Sequence, residues 1–90
     1  MHRGYVTKLE FSRDGKLLCC VVTAGSTSVL CVLDWLGKRW LPERRIPTAR
    51  VLDVKFDPYK SSELAVCGAG MLALFSCSGQ ALIMKEQAVL

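Results

Sequence analysis

The chain has 90 residues, 51% of them hydrophobic and 22% charged, and carries a net charge of +4. That balance belongs to a folded globular chain and not to a disordered one, and the length allows one domain with a modest core. The apolar residues fall in short runs, so no segment is long enough to cross a membrane as a helix, and residues 1–16 lack the apolar stretch of a secretory leader.

In chain order, Tyr5–Phe11 reads as a strand, with Val6, Leu9 and Phe11 as its apolar positions. Ser12-Arg13-Asp14-Gly15 reads as a turn, because Asp bonds its own backbone and Gly tolerates positive φ. Leu17–Thr23 is a second strand, Gly25–Ser28 a turn, and Val29–Asp34 a third strand. These are continuous β-rich runs of the kind buried on both faces. Leu36-Gly37-Lys38 turns the chain into a fourth, outer strand from Arg39 to Ile46, whose Pro42 and charges suit a sheet edge. The plan then recurs as Val51–Phe56, Leu64–Gly68, Met71–Ser76 and Gln80–Lys85. Asp57–Ser62 forms its first loop, Cys77-Ser78-Gly79 a tight turn, and Glu86–Leu90 the start of a connection.

The recurrence is visible residue by residue. Val6-Thr7-Lys8-Leu9-Glu10-Phe11-Ser12 and Val51-Leu52-Asp53-Val54-Lys55-Phe56-Asp57 both read V-x-x-(L/V)-x-F-(S/D), at an offset of 45 residues. Val21–Gly25 aligns with Val66–Gly70 at the same offset, whereas Leu33 and Gly37 align with Phe75 and Gly79 at an offset of 42. The second copy has therefore lost three residues after Gly70, which the first copy spends on Ser26-Thr27-Ser28, and the simplest reading is a shortened turn. A period of about 40–45 residues with strand-like patterning is that of four-stranded propeller blades. The fold expected is all-β: two consecutive antiparallel blades, residues 1–46 and 47–90, forming an incomplete propeller.

At this point the residues resemble WD40 repeats. Phe11-Ser12-Arg13-Asp14-Gly15-Lys16-Leu17-Leu18 matches the family's F-S-x-D-G-x-x-L, His2 precedes the first strand, and Leu33-Asp34 stands where the family usually carries Trp-Asp. Cys31-Val32-Leu33-Asp34-Trp35 looks like the C-V-W-D-W of echinoderm microtubule-associated-protein-like propellers. Val51–Pro58 and Cys67–Phe75 look like segments of the blade that follows it there, and related cilia- and flagella-associated WD proteins share the style. The repeat marks that this resemblance implies are His2, Phe11, Asp14, Gly15, Leu33, Asp34, Val51, Phe56, Asp57 and Phe75. There are departures. The Trp positions hold Leu33 and Phe75, and the b–c turn lacks its Asp in both copies, leaving only His2 and Thr23 of the family's buried polar set. Such blades must be held mainly by apolar packing, because an incomplete polar network costs more than none. His2 is read as solvent-exposed near the chain start, the alternative being a structural hydrogen bond.

Catalysis finds no players. The chain has one histidine, no phosphate-binding loop and no H-E-x-x-H, and Gly68-Ala69-Gly70 precedes a strand where a phosphate cradle needs a helix. The five cysteines, Cys19, Cys20, Cys31, Cys67 and Cys77, are odd in number and set in apolar runs, so they read as reduced core residues of a cytoplasmic protein. No metal or cofactor is expected, and no enzyme.

Binding is the function left. Two blades cannot close a ring, which takes about four to eight, so the expectation is a slice of a larger propeller packed on further blades or partner chains. Binding residues of propellers sit on rim loops, here Arg13–Lys16, Gly25–Ser28, Arg45–Arg50 and Pro58–Ser62. The candidates are Trp35 and Trp40, as aromatic anchors, and the basic residues Arg39, Arg44, Arg45 and Arg50. The resemblance implies a protein-interaction scaffold with tubulin or axonemal partners. A generic adaptor in a ubiquitin-ligase, trafficking or RNA-processing assembly is the alternative, and a nucleic-acid-binding β-domain a weaker one.

Overall fold

The computed structural model describes residues 4–46, 50–79 and 81–89, the last without the side chain of Val89. His2 and the proposed junction between copies, 47–49, lie outside the described residues. Among the described residues, nine strands form two antiparallel sheets. The first holds β1 (Tyr5–Phe11), β2 (Leu17–Ala24), β3 (Thr27–Asp34), β4 (Arg39–Trp40) and β5 (Arg44–Ile46), with β4 and β5 both pairing with β3. The second runs β6 (Val51–Phe56), β7 (Glu63–Gly68), β8 (Met71–Ser78) and β9 (Ala81–Val89) in simple sequence order. These are two propeller-like blades, as the repeat implied.

The expected fourth strand of the first copy is broken into β4 and β5. Leu33 pairs with Trp40 and Leu30 with Arg44, so Leu41–Glu43 oppose only two residues of β3. Pro42 supplies no amide to the ladder, and its neighbour Leu41 keeps one rung by donating to the Val32 carbonyl at 2.9 Å. The second sheet carries its own irregularity at the same level, between Leu74 and Phe75, which leaves Lys85 unpaired in β9. The inner strands match as well: the register slips between Val6 and Lys8 in one sheet and between Val51 and Asp53 in the other. Bulges at equivalent places identify the copies more firmly than residue identity does.

Register also corrects the sequence alignment. Val6 pairs with Val22 and Val51 with Gly68, so Gly68 corresponds to Val22 and not to Thr23. The reason is one extra residue in the loop 57–62 relative to 12–16. Nor is the b–c turn shortened: Ala24 pairs with Thr27 and Gly68 with Met71, so both hairpins turn in two residues. What the second copy lacks is the pair of rungs Thr23–Ser28 and Ala24–Thr27. Losing two rungs keeps each side chain on its face, whereas losing one would invert the strand. The lost rungs hold a hydroxyl chain in the first blade, where Thr23 Oγ1 lies 3.0 Å from Ser28 Oγ and 3.3 Å from Thr7 Oγ1. β8 and β9 run further than expected, to Ser78 and Val89, so the supposed connection at 86–89 is strand.

The core lies between the sheets. Each sheet has a front face, marked by the cross-strand rows Phe11–Leu18–Leu33–Trp40 in the first and Phe56–Leu64–Phe75–Met84 in the second. The rear face of the first sheet, with Cys19, Val21, Leu30 and Val32, joins the front face of the second in one buried cluster. Phe75 is fully buried there. Its counterpart Leu33 faces outward, and Phe11 is 50% exposed where its counterpart Phe56 is 7% exposed.

Candidate interaction surface

The front face of the first sheet is open and carries large apolar side chains. Val6, Leu9, Phe11, Trp35 and Trp40 are all exposed there, whereas Tyr5, paired with Thr23, falls on the other face. Cross-strand pairing puts Leu18, Cys20, Val22, Val29, Cys31 and Leu33 on this same face, and among the described residues no second sheet packs on it. A cleft of about 540 Å³ crosses this face, walled by Val6, Cys20, Cys31, Trp40 and Glu43.

Both tryptophans belong to it. The Trp35 amide donates to the Lys16 carbonyl at 2.9 Å, fixing the end of β3, and its ring meets Phe11 edge to face, with centroids 5.9 Å apart. Trp40 stands opposite Leu33. Between them the β3–β4 turn is held by Asp34, whose carboxylate accepts from the Gly37 amide at 3.0 Å. A β-carbon at Gly37 would meet that carboxylate at 2.7 Å, so a larger residue would push the Asp34 side chain aside, and Lys38 completes the turn at φ 53.

The basic candidates do not form one patch. Successive strand residues face opposite ways, so Arg45, paired with Val29, lies on the front, while Arg44, paired with Leu30, lies on the rear. Arg44 donates to the Leu82 carbonyl of the second blade at 3.2 Å. It ties the two blades together. Arg39 sits 3.7 Å from Asp34 in a half-exposed ion pair of the weak surface kind. Arg50 is exposed at the entry to β6, where its carbonyl accepts the Ala69 amide.

The inter-blade contacts were not singled out from the sequence, although they had a signal there. Glu10 Oε1 accepts the Phe56 amide at 3.2 Å, and Glu10 Oε2 is 3.8 Å from Lys55 Nζ. Arg13 donates to the Pro58 carbonyl at 3.4 Å. Glu10 with Lys55, and Arg13 with Pro58, are each one 45-residue repeat apart. Stacked repeats place equivalent positions side by side, so complementary chemistry at the repeat offset is the signature to seek. Asp14 joins this seam. Its carboxyl is held below the usual carboxylate range by the Ser12 hydroxyl at 2.7 Å and the Lys16 amide at 3.0 Å, with a further bond from Ser61. Asp57 caps the matching loop of the second blade, accepting from the Tyr59 and Lys60 amides.

Cys19, Cys31 and Cys77 are poor nucleophiles. Burial, reinforced by neighbouring thiols, pushes Cys19 far above its ordinary value, and burial alone pushes Cys77 up to about 11. Cys31, directly opposite Cys20, is raised by the hydrogen bond with Cys20 and then by burial. Among the described residues, no group of three or more metal-ligating side chains converges, and no helix is long and apolar enough to cross a membrane.

No family model matches the chain. Echinoderm microtubule-associated protein-like 4 of Mus musculus is 29% identical over 79 residues, covering 87% of this chain and 8% of that protein. The chain thus spans a small part of the relative's length. Together with the two blade-like sheets, this similarity supports a WD-repeat-like relationship.

Proposed function

We propose that the chain is a non-enzymatic WD-repeat interaction scaffold, residues 1–46 and 47–90 being successive blades of one larger propeller. It works in the cytoplasm on microtubules or the axoneme. The observation that carries this reading is the open, aromatic-bearing front face of the first blade, in a chain similar to a microtubule-associated-protein-like relative. Rigid strands hold the rim loops, and Arg45, Arg39 and Arg50 offer positive charge to an acidic surface such as that of tubulin. Trp35 and Trp40 supply the amphipathic aromatic area typical of binding hot spots.

Co-sedimentation with microtubules tests it, comparing the chain with an Arg39→Glu/Arg45→Glu/Arg50→Glu variant. Arg44 is left intact because it ties the blades. Expected are salt-sensitive binding by the parent and at least tenfold weaker binding by the variant. No binding by the parent, or equal binding by both, overturns the microtubule assignment.

A further inference from the structure

Cys20 and Cys31 stand directly opposite each other on β2 and β3, and their thiols share a hydrogen bond. Among the described residues they are the one pair of thiols matched across a ladder. The equivalent pair in the second blade is Val66 with Ala73. Cys20 and Cys31 are each 7% exposed, and with Val6, Trp40 and Glu43 they wall the cleft of about 540 Å³. A position filled by two apolar side chains in one blade thus carries two sulfurs in the other, beside a space of small-molecule size.

Register decides what can join the sulfurs. The Trp35 amide bonds the Lys16 carbonyl, so residues 16 and 35 form a hydrogen-bonded pair. Alternation along an unbroken ladder makes Cys20 and Cys31 another. The β-carbons of such pairs lie at the wide end of the cross-strand range, about 5.5 Å. A disulfide wants them at about 3.5–4.5 Å, so closing one here would draw two central strands together. A single atom set between the sulfurs lengthens the span by one bond and needs no such movement.

Charge and shape narrow the choice of that atom. Cys31 is held above its ordinary value by the Cys20 hydrogen bond and by burial, and Glu43 adds negative charge beside it. Two thiolates on a monovalent cation would leave an anion next to a carboxylate in an apolar cleft, which is costly. Zinc takes four ligands, and among the described residues no group of three ligating side chains converges. Mercury(II) binds two sulfurs in a line and would push this hydrogen-bonded pair apart. Trivalent arsenic with one organic substituent is bent at its centre and leaves a neutral product. The condensation balances without an oxidant: two S–H and two As–OH bonds break, two As–S bonds and two waters form, and arsenic stays trivalent.

We propose that Cys20 and Cys31 form a dithiol site for trivalent arsenicals bearing one apolar substituent, which lies in the cleft against Val6 and Trp40. The site goes beyond the scaffold reading and does not depend on it.

Phenylarsonous acid is the probe. The chain, kept reduced with a phosphine and shown to be folded by circular dichroism, is equilibrated with one equivalent in excess glutathione, a monothiol. Native mass spectrometry counts the adduct. One arsenic per chain is expected, surviving the monothiol and removed by the small dithiol dimercaptopropanol. Cys20→Val and Cys31→Ala install the second blade's own residues at these positions, and each should lower retention at least tenfold. A Cys19→Ala/Cys67→Ala/Cys77→Ala variant should retain the adduct; if it fails to fold, the three single variants serve. No retained adduct on the folded parent overturns the proposal, as does unchanged retention in Cys20→Val or Cys31→Ala, or loss in the other cysteine variants. Peptide mapping after equilibration in equimolar reduced and oxidised glutathione checks the register argument. A Cys20–Cys31 disulfide in most chains overturns the preference for a one-atom bridge.

Discussion

Phe11 and Phe56 are the same residue at the same place in two copies of one repeat, and differ in what covers them. Phe56 is 7% exposed and belongs to the inter-sheet core, while Phe11 is 50% exposed and keeps the edge contact with Trp35. Truncating a buried Phe costs about 3–5 kcal/mol. For Phe11 roughly half of that burial is present at the start, so its truncation should cost about 1.5–2 kcal/mol, including about 0.5–1.5 for the ring pair. Phe56→Ala should therefore exceed Phe11→Ala by about 2 kcal/mol, close to 30-fold in the unfolding equilibrium. With a urea slope of about 1–2 kcal/mol/M, the two midpoints separate by about 1–2 M. Urea titrations followed by circular dichroism at low protein concentration read this directly. Equal midpoints, or a greater loss at Phe11, refute the packing of the second blade's front on the first blade's rear.

Arg44→Met removes the donor to the Leu82 carbonyl and should lower stability by about 1–2 kcal/mol, whereas Arg45→Met should change it by less than about 0.5; thermal melts compare them. Asp14 has a lowered folded-state value, so its contribution is present above the ordinary value of 3.8 and is lost as pH falls through the folded value. The stability gap between the parent and Asp14→Asn should accordingly narrow in acid urea titrations below that point, and a constant gap refutes the role. Cys77 is raised in the folded state, so its contribution is complete below its ordinary value of 9.0 and is lost as pH climbs toward about 11. Cys77→Ala should flatten the alkaline limb of the stability profile. Gly37→Ala displaces the Asp34 carboxylate from the Gly37 amide and should cost no more than about 1 kcal/mol, visible as faster amide exchange at that position.

Much of the fold is legible in the chain because strand formation is local. Val6, Leu9 and Phe11 alternate with polar neighbours, Gly15 and Gly25 sit at φ 74 and 60 where turns need them, and the 45-residue echo of Val6–Phe11 announces a second sheet. The interaction surface was legible only in kind. Trp35 and Trp40 could be named from residue type, but their common face depends on which side of β3 each falls.

What the sequence determined by itself was two copies of one antiparallel sheet, because hydrogen-bonded ladders and two-residue turns are set by neighbouring residues. Register and stacking were decided by the tertiary structure. One extra residue in loop 57–62 shifted β7 against the apparent alignment, and two missing rungs, not a shorter turn, account for the rest. The physical reason is parity. A strand offers two nearly equal apolar faces, and only the seating of one sheet on the other chose which Phe is buried and which arginine became a tie. The same choice left the apolar front of the first sheet open.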